Sequence, residues 1–363
     1  MPEFAETYAR ARSLFLNAAA ARSARVESFR NPHGTGSDEE LLYTDVAVLG
    51  PARPARLLLC VSGTHGIEGF AGSAIQASLL RDGFGTGAPR DLGLVMVHAL
   101  NPWGFAWLRR VNEDNVDVNR NFVDHRQPPE NARYEDVHAA LAPASWDEDK
   151  RDRADELLTG YAGRQGMLAL QAAVTGGQWT HKDGLFYGGA RPVWSHQTLR
   201  TIASRYVAGV PRIGYVDLHT GLGRRGWGEP IFRGGPDPGA LGRARAWYGD
   251  DLTMSDDGSS SSTPITGNTA SLVASLLRDG QRLTAITLEF GTLSGTEVLA
   301  ALRADNWLHM RSGLSRSQAK TIKQAMREAF YPDDPGWRDM VWNRASTVLG
   351  QTIRGLSEEA DFE

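Results

Sequence analysis

Short apolar runs, each closed by glycine, proline or a polar cluster, recur through the chain, with stretches of helical periodicity between them. Leu57 to Val61, Leu94 to Leu100, Ile213 to Leu218 and Leu283 to Phe290 are mainly apolar over strand length. Runs of this kind predict strands buried on both faces, as in a parallel sheet. Leu41 to Leu49 alternates weakly and predicts an early strand, and Leu185 to Tyr187 a short one. Helices are predicted over residues 4–22, 70–82, 153–174, 195–206 and 269–278, and from Pro238 to Tyr248. Three more follow at 295–310, 316–330 and 337–350. Asn31 to Glu39 reads as a polar connection and Asp124 to Asp152 as an irregular surface excursion; the acidic tail after Leu356 is expected to fray.

Strands alternating with helices predict an α/β fold: a mixed, largely parallel central sheet with helices on both faces. No repeat or long linker divides the chain, so one domain is expected over 1–363, with helical elements at 1–30 and 295–350. In such sheets ligands gather at the carboxyl ends of strands. His65 and Glu68 follow one predicted strand, Asn101 a second and His219 a third, and Glu289 lies near the end of a fourth.

Composition narrows the class. With 41% hydrophobic and 23% charged residues over 363 positions, the chain reads as an ordinary globular protein able to bury a large core. A net charge of −4 from well-mixed residues offers no polyanion-binding surface, so nucleic acid is not an expected partner. Cys60 is the only cysteine, which excludes an internal disulfide and a cysteine-rich zinc cluster, and its apolar surroundings suggest a small core residue. No apolar stretch approaches membrane-spanning length and the first residues lack a secretory pattern, so a cytoplasmic protein without a membrane partner is expected.

The chemistry centres on the loop Gly63-Thr64-His65-Gly66-Ile67-Glu68-Gly69. Imidazole suits zinc and a carboxylate adds charge, while the glycines permit the tight turn that points both side chains one way. Taken alone, the loop reads equally as a phosphate-cradling turn or a plain β-to-α turn with two solvated polar residues. Gly221 to Gly226 spells G-x-G-x-x-G after a strand, but the following Gly-Trp-Gly-Glu-Pro composition argues against the helix a dinucleotide site needs. No G-x-S-x-G elbow is present.

Taken together, the polar islands resemble the zinc carboxypeptidase superfamily. His65 and Glu68 match its H-x-x-E, Asn101-Pro102-Trp103-Gly104 its N-P-x-G, and Arg110 with Asn115 to Asn121 its arginine and G-V-D-x-N-R-N segment. His219 in VDLHTG matches the third ligand and Glu289 in TLEFGT the catalytic glutamate. Asn115 stands where the family has glycine, a change that φ > 0 tolerates. The resemblance implies one Zn2+ per chain on His65, Glu68 and His219, with Asp117 accepting a hydrogen bond from His65. It further implies Glu289 as general base, Arg110 as stabiliser of the oxyanion, and Asn119 with Arg120 as the grip on a substrate carboxylate. Arg109 and Arg110 read equally as surface charges by themselves, and only the resemblance selects Arg110. Asp217, two before His219, reads either as a support for that histidine or as a satisfied core polar group. His98, His181, His196 and His309 read as packing or surface residues.

The implied substrate is a peptide or acyl-amino acid with a free carboxylate beside the scissile amide, as for a carboxypeptidase-like metallopeptidase. Thr263 to Asn268 lacks the tyrosine that digestive carboxypeptidases carry in this region. That departure is similar to the aspartoacylase and succinylglutamate desuccinylase branch, so an N-acyl-amino-acid amidohydrolase is the alternative. A binding protein that kept the fold without catalysis is the rival from another class.

Overall fold

The computed structural model describes residues 3–235, 237–311 and 315–358. Seven strands form one sheet: β1 (Arg25–Thr35), β2 (Leu41–Leu49), β3 (Arg56–Ser62), β4 (Leu92–His98), β5 (Arg212–Arg225), β6 (Gly228–Phe232) and β7 (Arg282–Gly291). Their order is β1-β2-β4-β3-β5-β7-β6. The central four, β4, β3, β5 and β7, run parallel, and antiparallel strands flank them on both sides. The mixed, largely parallel sheet expected from the apolar runs is the one observed.

Alternation along the strands divides the core into two layers. Leu58, Cys60, Met96, Val216, Leu218, Ile286 and Leu288 face the helices Tyr8–Ala21, Gly69–Arg81, Ala240–Tyr248 and Pro335–Glu358. Leu57, Leu59, Val61, Val95, Ile213, Tyr215 and Leu283 face Trp194–Tyr206 and Thr269–Ser275. Cys60 belongs to the first layer, and burial pushes its thiol up to about 12, so it is unreactive packing.

Several elements differ from the sequence reading. Residues 25–35, read partly as the end of a helical terminus and partly as a polar connection, form the edge strand β1, most of whose polar residues face solvent while Asn31 is buried. The stretch 124–152 contains the helix Ala132–Leu141 and the start of Glu148–Gln165. The single helix expected over 153–174 is two, broken where Gly166 takes φ of +93°. Leu185 to Tyr187 is a turn with one isolated bridge, and β6 was not anticipated. The last helix continues to Glu358; the tail expected to fray lies largely outside the described residues. β5 extends through the G-x-G-x-x-G segment and leads into another strand, so no helix meets those glycines.

Candidate metal centre and its surroundings

The order of strands around β3 places a crevice between neighbours whose chain connections leave in opposite directions. β3 is followed by β4 on one side, while β5 lies on the other. His65 and Glu68 come from the loop after β3, and His219 lies within β5 one register pair beyond Ser62↔Leu218. The loop is fixed from below. Backbone N–H groups of Gly66 and Ile67 donate to the carbonyls of Arg110 and Arg109 at 3.1 and 2.8 Å. Gly66 lies so close to Gly104 that a Cβ would sit 2.0 Å from its carbonyl carbon, so only glycine fits.

The three side chains converge. His65 Nδ1 lies 2.8 Å from Glu68 Oε1, His219 Nδ1 lies 3.0 Å from Glu68 Oε2, and the two Nδ1 atoms are 3.1 Å apart. All three residues are buried. The other ring nitrogen of each histidine meets a carboxylate: His65 Nε2 lies 3.0 Å from Asp117 Oδ1, and His219 Nε2 lies 2.9 Å from Asp217 Oδ2. The second contact is an ion pair without an aligned hydrogen bond. Asp217 is itself held by the hydroxyls of Thr64 and Thr269 at 2.8 and 2.7 Å. Two nitrogens and a carboxylate pointing at one place, each imidazole backed by an acid, is a donor set suited to zinc.

The electrostatics carry the same imprint. Burial alone would raise the Glu68 pKa, but the His65 charge and hydrogen bonds from His219 and His65 hold it well below the usual carboxylate range. Burial would lower the His219 pKa, yet Asp217 and Glu68 lift it to about 10, so without metal this histidine carries a proton at neutral pH. Asp117 is held low against its burial by Arg110 and His65.

Glu289 faces this group from β7, opposite His219 in register. Its Oε1 accepts from the backbone N–H of Leu222 at 3.0 Å. Burial, then the Glu68 carboxylate, pushes its pKa up to about 7. Arg110 donates through Nη1 to Glu68 Oε1 at 3.0 Å and through Nε to Asp117 Oδ2 at 3.2 Å. Its side chain is 14% exposed against 1–3% for the three converging residues, so solvent reaches this guanidinium first. Arg109 turns the other way, onto Asp305 and Asn115. Asn115 takes φ of +60°.

Arg120 is buried beside the same crevice. Its Nε and Nη2 donate to the Thr175 carbonyl at 3.1 and 2.6 Å and Nη1 to the Asn119 carbonyl at 2.9 Å. Asn119 Oδ1 accepts from the backbone N–H of Thr269 at 3.0 Å. Phe186, in the turn mistaken for a strand, lies beneath both guanidiniums, 5.1 Å from Arg110 and 5.6 Å from Arg120. Sequence reasoning missed Phe186 and also Arg233, a half-buried arginine after β6 that no motif marks. A charge directly after the apolar Ile231-Phe232 was the only available signal.

Other histidines that the sequence offers have partners of their own. His98 stacks on Phe15 and contacts Ser73 Oγ at 2.9 Å, and His196 stacks on Phe122. His309 contacts Lys323. His138, His181 and Asp183 also cluster, but Arg311 occupies Asp183 and His181 meets Glu135. Among the described residues no helix is long and apolar enough to cross a membrane.

The chain belongs to the family described as Protein of unknown function (DUF2817), whose profile matches residues 4–344. No curated protein matches the sequence. Solved structures of similar shape include bovine thrombin-activatable fibrinolysis inhibitor in complex with tick carboxypeptidase inhibitor. It is 10% identical over 98% of each chain, with a TM-score of 0.49. Carboxypeptidase A from Helicoverpa armigera is 13% identical over 94% of this chain and 73% of that one, with a TM-score of 0.46. Succinylglutamate desuccinylase from Chromobacterium violaceum is 15% identical over 88% and 74%, with a TM-score of 0.39.

Proposed function

We propose that the chain is a zinc-dependent hydrolase that cleaves an amide bond next to a free carboxylate. The observation that carries this reading is the convergence of His65 Nδ1, Glu68 and His219 Nδ1 beside a buried carboxylic acid, Glu289. A zinc ion held by the three would supply Lewis acidity to an amide carbonyl and acidify a water.

The chain's own residues supply the rest. Glu289, whose proton affinity burial raises towards neutrality, takes a proton from water and passes it to the leaving amine. The N–H of Leu222 fixes one of its oxygens, leaving the other for proton transfer. Arg110 carries the solvent-reachable positive charge and stabilises an oxyanion as it develops. Asp117, by its hydrogen bond to His65, and Asp217, by its charge beside His219 Nε2, favour the proton on Nε2 and leave each Nδ1 free. Arg120 and Asn119 bind the substrate carboxylate, through donors that Thr175 and Asn119 carbonyls leave unused.

A carboxypeptidase-like reaction on peptides and deacylation of N-acyl-amino acids share all these groups. One observation favours the second: Tyr248 is buried against Thr352 Oγ1 at 2.9 Å, and no tyrosine occupies residues 263–268. The test is a hydrolysis screen of short peptides and acyl-amino acids, each with a free or amidated carboxyl end, with and without chelator. Chelator-sensitive cleavage of the free acids is expected. Cleavage of acid and amide alike would remove the carboxylate role, and cleavage indifferent to chelator would remove the metal.

A further inference from the structure

We propose that His138, His181 and Asp183 form a second site for a divalent transition-metal ion of the zinc class, one that clamps the turn carrying Phe186. The two histidines and the aspartate each offer one donor atom, and these atoms lie within 4.8 Å of one another. They come from two separate elements. His138 lies on the helix Ala132–Leu141, while His181 and Asp183 lie in the segment that the isolated Gln178–Tyr187 bridge closes. None of the three belongs to the crevice group.

His138 lacks the polar partner that buried imidazole nitrogens usually have. Among the described residues its ring makes no hydrogen bond: Nδ1 is shut off from solvent without a partner, and Nε2 has only Asp183 Oδ1, at 3.9 Å. Nδ1 packs against Gly184, where a Cβ would sit 3.1 Å from it, so Nε2 is the donor left for an ion. The His181 ring stacks on His138 with centroids 3.7 Å apart and planes 20° apart. Arg311 takes only Oδ2 of Asp183, at 2.9 Å, and leaves Oδ1 on the His138 side. Glu135, three residues before His138 on the same helix face, lies 2.8 Å from His181 Nε2 and adds a second negative charge. Two imidazoles and a carboxylate suit zinc better than calcium or magnesium, which take oxygen ligands. Tetrahedral zinc separates its ligands by roughly 3.3 Å, so an ion would draw this set together. The three side chains are 19–31% exposed and free to make that shift.

Such an ion would brace the crevice from behind. The Gln178 N–H donates to the Phe186 carbonyl at 3.1 Å, and the Gly188 N–H to the Gln178 carbonyl at 2.8 Å. Asn115 Nδ2 donates to the carbonyls of Lys182 and Gly184, both at 3.1 Å, and the Asp117 N–H to that of Tyr187 at 2.8 Å. Fastening this segment to the helix restricts the turn that holds Phe186 beneath Arg110 and Arg120. Because the site is more exposed than the crevice, its ion leaves on dialysis, and an ion in the crevice is the one retained.

The test is equilibrium dialysis of the untagged full chain against micromolar free Zn2+, comparing the wild type with His181→Gln. The wild type is expected to bind two ions and the variant one. Hydrogen exchange on the same samples reads the clamp. Zinc should slow exchange over residues 178–188 roughly 10-fold more in the wild type than in the variant. Equal ion counts in the two proteins would overturn the proposal, and so would a lost ion without that difference in exchange. A wild-type count of one that His181→Gln abolishes would defeat the crevice ion and uphold the second site; a count of one that the variant keeps would overturn the second site. If His181→Gln does not fold, His138→Gln decides on the same terms.

Discussion

His219 and Glu289 are register partners across the parallel strands β5 and β7, so one backbone alignment sets both a metal-type ligand and the acid beside it. Side chains alternate along a strand, and a slip of one residue would turn Glu289 to the opposite face. The pair is therefore as rigid as the sheet itself. Ten register positions of the β5–β7 pairing, from Arg212↔Arg282 to Gly221↔Gly291, run unbroken to the site.

Because Asp217 and Glu68 hold His219 protonated when no metal is bound, zinc binding should expel a proton. Zinc titrations at pH 7 in buffers of different ionisation enthalpy should give heats that vary with the buffer. Asp217→Asn should reduce that proton release, and Asp117→Asn or Asp217→Asn should each weaken zinc by roughly 10- to 100-fold. Wild-type affinity in both variants would show that the acids merely fill space.

Arg110 contacts Glu68 and Asp117 but exposes part of its guanidinium. If it stabilises developing charge, Arg110→Met should lower kcat by roughly 100-fold with little change in KM. A rise in KM at constant kcat would instead make it a substrate-binding group.

Stability should fall in mild acid. Burial holds the His98 pKa down at about 4 from the ordinary 6.5, with Asp45 opposing and Arg12 assisting. Between those values the unfolded chain binds a proton that the folded chain refuses, so stability is full above about 6.5 and declines as pH drops towards 4. For a fully buried imidazole this amounts to about 3 kcal/mol at most. His98→Gln should flatten the slope of denaturation midpoint against pH over that range; an unchanged slope would assign the effect to other groups.

The sequence made the central sheet legible because its four parallel strands are buried on both faces and read as apolar runs. β1 and β6 escaped notice for the converse reason. An edge strand with one wet face, Arg25 to Thr35, looks like a loop, and Gly-Glu-Pro-Ile-Phe is too short to show a period. At the candidate site, residues within motifs were marked in the sequence, and the structure brings His65, Glu68 and His219 together. Phe186 and Arg233 were not, since each reaches the crevice through tertiary packing that leaves no local signature.

The most direct measurement pairs zinc content with kcat on one preparation of Glu289→Gln. The substitution keeps the shape of the side chain and its contact with Leu222 N–H but removes the base. The expected result is about one zinc per chain, as in the wild type, with kcat reduced at least ~100-fold on whichever free-acid amide the wild type cleaves. Loss of the zinc would make Glu289 a ligand, and retention of both zinc and turnover would contradict its role as the base.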